Sequence, residues 1–308
     1  MTYNLLRVFL IELLKSIQNK ESIVRLVMKF KKVLLGLVAL LSAMILVACG
    51  SSSSKNEKVT TDQWDTYVKK GKITIGFDNT FVPMGYADKD GKNVGFDIDL
   101  ANAVFKEYGI TVNWQSINWD LKETELKNGT IDLIWNGYSI TNERKSKVLF
   151  TNPYMVNEQV LVTKKSSGIT SFADMKGKVL GAQSGSSGYD AFTSNPKILK
   201  DIVSGGDATQ YETFTQALID LKNGRIDGLL IDKVYANYYL KQENELDNYN
   251  IIPSEFEGEN FAVGARKTDK TLVKKVNAGF KKLYQDGTFQ KISDKWFGQD
   301  VATNDVKK

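Results

Sequence analysis

One seven-residue phrase occurs twice in this chain. Leu126-Lys127-Asn128-Gly129-Thr130-Ile131-Asp132 returns as Leu221-Lys222-Asn223-Gly224-Arg225-Ile226-Asp227, with a single mismatch. In each copy a helical stretch runs into Asn-Gly, which suits a left-handed helix stop, and an apolar strand pattern follows. The first strand, Ile131 to Trp135, leads into Asn136-Gly137-Tyr138-Ser139, and the second, Ile226 to Ile231, into Asp232. Asn-Gly alone is a common stop, but seven residues in order predict two similar helix–strand units and so two α/β lobes. In open α/β sheets ligands sit beyond the carboxyl ends of strands. If the lobes face each other, Asn136 to Ser139 and Asp232 look across one cleft.

Further elements fit this frame. Lys72 to Phe77 alternates as a strand should. Ile98, Leu100, Ala101, Val104, Phe105 and Tyr108 recur at helical spacing up to Gly109. Thr111 to Trp114 reads as a short strand and Asp120 to Lys127 as a short helix, with folding signals beginning near Trp64.

The excess of positive charge belongs to the beginning of the chain. Seven bases (Arg7, Lys15, Lys20, Arg25, Lys29, Lys31, Lys32) and two acids (Glu12, Glu21) precede Cys49, and they account for the whole formal charge of +5. From Cys49 onward the chain is formally neutral, which argues against nucleic acid as a partner. There is no histidine, so Ser-His-Asp and Cys-His catalysis and histidine-ligated zinc are excluded from this chain alone. Cys49 is the only cysteine, so no internal disulfide forms.

That cysteine stands in Leu46-Val47-Ala48-Cys49-Gly50, behind a basic start at Met28-Lys29-Phe30-Lys31-Lys32 and an uncharged run from Val33 to Val47. The run falls short of the roughly 20 apolar residues of a membrane-spanning helix. Its order is that of a secretory signal, and the small residues before the cysteine resemble the lipobox of bacterial lipoproteins. The resemblance implies residues 28–48 as a cleaved signal peptide and Cys49 as the lipidated first residue of the mature chain. Ser51 to Lys58 is Ser-rich, and residues 49–58 read as a flexible tether. Residues 1–27 are expected to be a start-site extension, with translation beginning at Met28.

Five phrases in unbroken order between Lys72 and Gly298 resemble one family. Gly95-Phe96-Asp97-Ile98-Asp99-Leu100 before a helix resembles the signature of family 3 extracellular solute-binding proteins, the amino-acid receptors of ABC importers. Asp78-Asn79-Thr80-Phe81-Val82-Pro83 resembles that family's first ligand loop. Asn136 through Arg144 resembles the loop with the carboxylate-binding arginine, and Gln183-Ser184-Gly185-Ser186-Ser187-Gly188 the second-lobe loop. Lys295-Trp296-Phe297-Gly298 resembles the usual ending. The resemblance implies a two-lobed periplasmic-binding-protein-like (type II) α/β fold whose lobes are joined by two hinge strands. Residues 59–155 plus 260–308 are expected in lobe one and 156–259 in lobe two, with hinges at 152–156 and 256–260.

The chemistry of the matched positions supports the same reading. A free amino acid carries a carboxylate and an ammonium, and a receptor must satisfy both. Arg144, one of three arginines after Cys49 with Arg225 and Arg266, offers a guanidinium fork for the carboxylate. Ser139 and the backbone N–H groups of Ser186 and Ser187 at a helix start are expected to add donors to the same anion, with Asn136 and Gly137 also facing the ligand from the cleft. Asp232 is expected to take the ammonium from the other lobe. On the residues alone, Arg144 between Glu143 and Lys145 also reads as a solvated helix start, and Asp232 as the cap of a helix near Val234. Asp97 reads as a cap or dipole partner, and Trp135 as core packing.

Asp78, Phe81, Trp119 and Gln183 fall where the resemblance implies contacts to the ligand side chain. An anionic Asp78 disfavours acidic amino acids. Gln183 stands where many relatives that bind amide side chains use a basic residue, a departure that counts against glutamine; the expected ligand is a polar neutral amino acid, glutamine or cystine, with lysine or arginine next. No cofactor, metal or reaction is implied. The expected partners are a free amino acid, an ABC permease with its ATPase, and the outer face of the cytoplasmic membrane through lipid on Cys49; the receptor is expected to be monomeric. The rival readings are a dehydratase-type enzyme on the same fold with Asp78 as its acid or base, and a sensor or adhesin.

Overall fold

The structure, a computed structural model, describes Ile11 and residues 61–308. The expected start-site extension, the leader, Cys49 and the tether lie outside the described residues. Among the described residues no helix is long and apolar enough to cross a membrane.

Two five-stranded sheets are laid out on one plan. In the first, the strands stand in the order Thr111–Ser116, Lys72–Phe77, Leu133–Ile134, Gly264–Ala265 and Leu149–Phe150. In the second the order is Thr209–Tyr211, Leu180–Gln183, Gly228–Asp232, Gln159–Lys164 and Tyr249–Ile252. In each sheet the first three strands are parallel and the fourth runs against them. The chain passes between the sheets twice, on Met155–Asn157 and Glu259–Phe261, which pair antiparallel. These crossing strands lie slightly C-terminal to the hinge ranges anticipated from sequence.

The repeated phrase has a specific structural use in both lobes. The helices Lys122–Asn128 and Phe214–Lys222 both end at the repeated Asn-Gly, with Gly129 and Gly224 in the left-handed region. The strand ladders then begin at Leu133 and Gly228, two residues later than the apolar pattern predicts. The skipped residues have other work. Asp132 clamps Thr74 of the neighbouring strand, its N–H donating to Thr74 O at 2.8 Å and its Oδ2 accepting from Thr74 N at 2.9 Å. Asp227 clamps Val179 in the same way, at 2.8 Å in both directions. Ile131 and Ile226 press on glycines: a Cβ on Gly76 would lie 2.4 Å from Ile131 Cδ1, and one on Gly181 would lie 2.5 Å from Ile226 Cδ1. The repeat therefore encodes a plug and a clamp that fix a strand in register against its neighbour.

Other elements differ modestly from their sequence patterns. Lys72–Phe77 spans the expected strand, while Thr111–Ser116 continues past Trp114 because it pairs along the full length of its neighbour. The short helix expected at 120–127 is a 3-10 turn, Trp119–Leu121, running into Lys122–Asn128; Asn118 Oδ1 caps the turn by accepting from Asp120 N. Trp135 is fully buried, its ring 5.5 Å edge-on to Phe280 and 6.2 Å from Tyr154. It packs the core, as its place after a core strand implies.

Candidate functional site

The carboxyl ends of the central strands from both sheets point at one space. Asp78 follows Lys72–Phe77, Asn136 and Gly137 follow Leu133–Ile134, and Gln183 and Asp232 end their own strands in the second lobe. Ten of the eleven ligand-site residues expected from sequence line a single small cavity: Asp78, Phe81, Trp119, Asn136, Gly137, Arg144, Gln183, Ser186, Ser187 and Asp232.

In the first lobe the loops are held by buried polar bonds. Asn136 Oδ1 accepts from Asp78 N at 3.0 Å. Gly137 has φ of 57°, and a Cβ there would lie 2.7 Å from Phe81 Cε1, so both the turn and the Phe81 ring require glycine. Its N–H donates to Asp97 Oδ2 at 2.8 Å, and Tyr154 OH donates to the same oxygen at 2.9 Å. Of the two expected roles for Asp97, the cap is corrected, while its place in the first turn of the helix keeps it beside the positive end of the dipole. The N-cap of Phe96–Lys106 is Gly95, without a side-chain cap, and Asp97 instead anchors the Gly137 loop. Burial pushes its carboxyl up to about 7, with the two donors pulling the other way.

Arg144 lies in the helix Asn142–Lys147, whose N-cap Thr141 accepts from the Arg144 N–H at 3.1 Å. It is not a solvated helix start, for only 3% of it is exposed. Nη1 donates to Ser139 O and Nη2 to Gly185 O, both at 3.0 Å, so the guanidinium joins the two lobes. It lies 4.7 Å over the Tyr138 ring, with Asp190 at 3.6 Å and Glu123 at 4.0 Å. Lys122 stands beside it, donating to Trp119 O at 3.0 Å and to Gly185 O at 2.8 Å. Burial, helped by the Arg144 charge, lowers the Lys122 pKa to about 8.

The second lobe answers with a helix start and an acid. Ser186 N-caps Ser187–Ser194, its Oγ accepting from Tyr189 N at 3.1 Å. The free N–H groups at such a helix start favour an anion. Asp232 occupies the N-cap position of Lys233–Gln242 but makes no cap bond with its side chain. Its Oδ1 accepts from Asn157 Nδ2 at 2.6 Å and from Gln159 Nε2 at 3.0 Å. Burial and then the nearby Glu259 carboxylate hold the Asp232 carboxyl well above the usual range.

At the remaining end, Gln183 Nε2 donates across the cleft to Asp78 Oδ2 at 2.8 Å and to Glu212 O at 2.9 Å. Asp78 Oδ1 accepts from Thr80 N and Thr80 Oγ1; burial still raises its carboxyl above the ordinary value. Phe81 reaches into the second lobe, with its ring 5.5 Å from Tyr235 and 5.9 Å from Phe214. Trp119 lies edge-on to Tyr138 at 5.9 Å.

Ser139 is the expected residue that does not line the cavity. Its hydroxyl is turned to Glu259 Oε2 at 2.7 Å, and its carbonyl serves Arg144. Sequence reasoning missed Lys122, Asn157, Gln159, Asp190 and Glu259. Asn157 and Glu259 sit on the crossing strands, and the only available signal was the polar character of those short segments.

The chain is similar to known binding proteins along most of its length. The model for bacterial extracellular solute-binding proteins, family 3, matches residues 73–299. The L-cystine-binding protein TcyA of Bacillus subtilis is 34% identical over 277 residues, 88% of this chain and 99% of that protein. ABC transporter arginine-binding protein 1 of Escherichia coli is 34% identical over 230 residues, 74% of this chain and 91% of that protein. A crystal structure of an ABC uptake transporter substrate binding protein from Streptococcus pneumoniae, with bound histidine, is 67% identical. It superposes with a TM-score of 0.78, covering 79% of this chain and 99% of that one. These relatives are transport binding proteins for amino acids rather than enzymes. This chain belongs to the family 3 bacterial extracellular solute-binding proteins.

Proposed function

We propose that the protein is an extracellular, lipid-anchored receptor that closes its two lobes on one free amino acid and delivers it to an ABC permease and its ATPase. The observation that carries this reading is the distribution of charge around the small cavity. Arg144 and the Ser186–Ser187 helix start offer an anion site, while Asp232 offers a cation site. A zwitterion matches both at once, and a neutral solute matches neither. Because Arg144 comes from the first lobe and Asp232 from the second, the ligand itself bridges the lobes. Closure of this kind is a known hinge motion of binding proteins.

For the side chain, Asp78 favours a group that donates N–H bonds. That chemistry, with the histidine bound by the 67% identical relative, moves histidine ahead of glutamine and cystine, with arginine next. Calorimetry against the twenty amino acids plus cystine tests the order. The Asp78→Asn protein should bind histidine and arginine about ten- to a hundredfold more weakly and glutamine with a smaller loss, since a bond to a charged partner is the stronger kind. Equal losses for all three would remove Asp78 from side-chain recognition.

The anchor rests on Cys49 and its flanking sequence, since two acyl chains hold to a membrane where one does not. A Cys49→Ala protein should leave the membrane fraction. Its retention there would exclude Cys49 as the anchor and leave the binding reading untouched.

A further inference from the structure

Behind the cation end of the cleft lies a second carboxylate. Glu259, on the second crossing strand, places Oε2 where four donors converge. Ser139 Oγ reaches it at 2.7 Å from the first lobe, and Ser187 Oγ at 3.0 Å and Gln159 Nε2 at 3.2 Å from the second. Asn157 Nδ2 reaches it at 3.3 Å from the partner crossing strand. The two serine hydroxyls also lie 3.1 Å apart, so the contact between lobes runs through this oxygen.

The same two amides serve Asp232. Asn157 Nδ2 and Gln159 Nε2 each reach Asp232 Oδ1 and Glu259 Oε2. Asp232 is buried and Glu259 half-buried; two carboxylates that share one pair of donors repel, and the repulsion is relieved by a proton or by a cation. Arg144 is the cation that bears on Asp232 from the first lobe. Lys233, next in sequence, is exposed and paired with Glu158. Neither Asn157 Oδ1 nor Gln159 Oε1 has a donor among the described residues, so the surroundings are rich in acceptors.

We infer that Glu259 is a positioning residue that makes the ammonium end a two-carboxylate site, so that seating a cationic nitrogen there, joining the lobes and releasing a bound proton are one event. The inference rests on the amino-acid reading above. Its direction is fixed by linkage. At low pH Asp232, whose carboxyl is raised by burial and by the Glu259 charge, holds a proton that the ammonium must displace; at higher pH it is ionised and binding tightens. In Glu259→Gln the repulsion is gone, Asp232 ionises at lower pH, and an acceptor oxygen remains for the two serines.

Calorimetric titration of wild type and Glu259→Gln with histidine, arginine and glutamine tests this, because titration of the ligand itself cancels in the ratio of the two affinities. The variant should bind about tenfold more weakly near pH 8.5, with the ratio falling to about one or below near pH 5.5. A ratio constant with pH would reduce Glu259 to a structural role and overturn the inference while the function stands. A wild type that binds none of the three would overturn the amino-acid reading, and this inference with it. Independently of the variant, histidine binding to wild type near pH 7.5, in buffers of different ionisation enthalpy, should show net proton release. Its absence would also overturn the inference.

Discussion

The Arg144→Ala protein should bind its amino acid about 30-fold to several thousandfold more weakly, a loss of about 2–5 kcal/mol. Removing the guanidinium leaves a ligand carboxylate buried beside the Ser186–Ser187 helix start without its opposite charge. It also deletes the two bonds by which Arg144 joins Ser139 O to Gly185 O, so the closed arrangement loses an internal tie. Glu123 and Asp190 would be left facing the gap with Lys122 as their nearest cation. Arg144→Lys should be intermediate, because an ammonium keeps the charge and cannot form two parallel bonds. Calorimetry gives the affinity and a thermal melt confirms the fold. Near-native binding by a folded Arg144→Ala protein would take Arg144 out of the site.

Much of this architecture was legible because it repeats. The phrase ending in Asp132 and Asp227 marks equivalent places in two lobes, and strand ends in such sheets are where ligands sit. That logic points to Asn136, Gly137 and Asp232 from the sequence alone, and the matched family phrases add Asp78, Gln183 and Arg144. What stayed hidden depends on long-range approach. Glu259 and Asn157 sit on crossing strands of three residues each, too short to carry a periodic signal. They become chemically important only where the chain's two passages between the sheets meet. The anchoring role of Asp97 was hidden for a related reason. Its place at a helix start was visible in the sequence, whereas its bonds to Gly137 and Tyr154 arise only in the folded chain. Ser139 likewise sits in the right loop, but its hydroxyl is turned to Glu259, an acceptor far along the chain.

The Asp232→Asn substitution should separate affinity from stability, with opposite signs. Its carboxylate is the charge proposed for the ammonium, and replacing it with an amide of the same shape should cost about 30- to several hundredfold in affinity. The loss should fall below the upper range for Arg144→Ala, because Glu259 still supplies negative charge at that end. Without ligand the effect reverses. Burial and Glu259 raise the Asp232 carboxyl above its ordinary value, so the folded state holds that proton more tightly than the unfolded chain. Folding stability from this group is therefore present at low pH and lost as pH rises through the raised value. An asparagine cannot ionise, so the ligand-free variant should melt at the same temperature as wild type at about pH 4 and below, and increasingly above it as pH rises into mild base. Adding amino acid should invert the order. Free ligand at about a hundred times its Kd stabilises a receptor by about 2.7 kcal/mol, and the variant should forfeit most of that. Thermal melts across pH, with and without histidine, read both effects together. A variant less stable than wild type in mild base without ligand would show that Asp232 is a structural support, and the charge-pair account of this end of the cleft would fail.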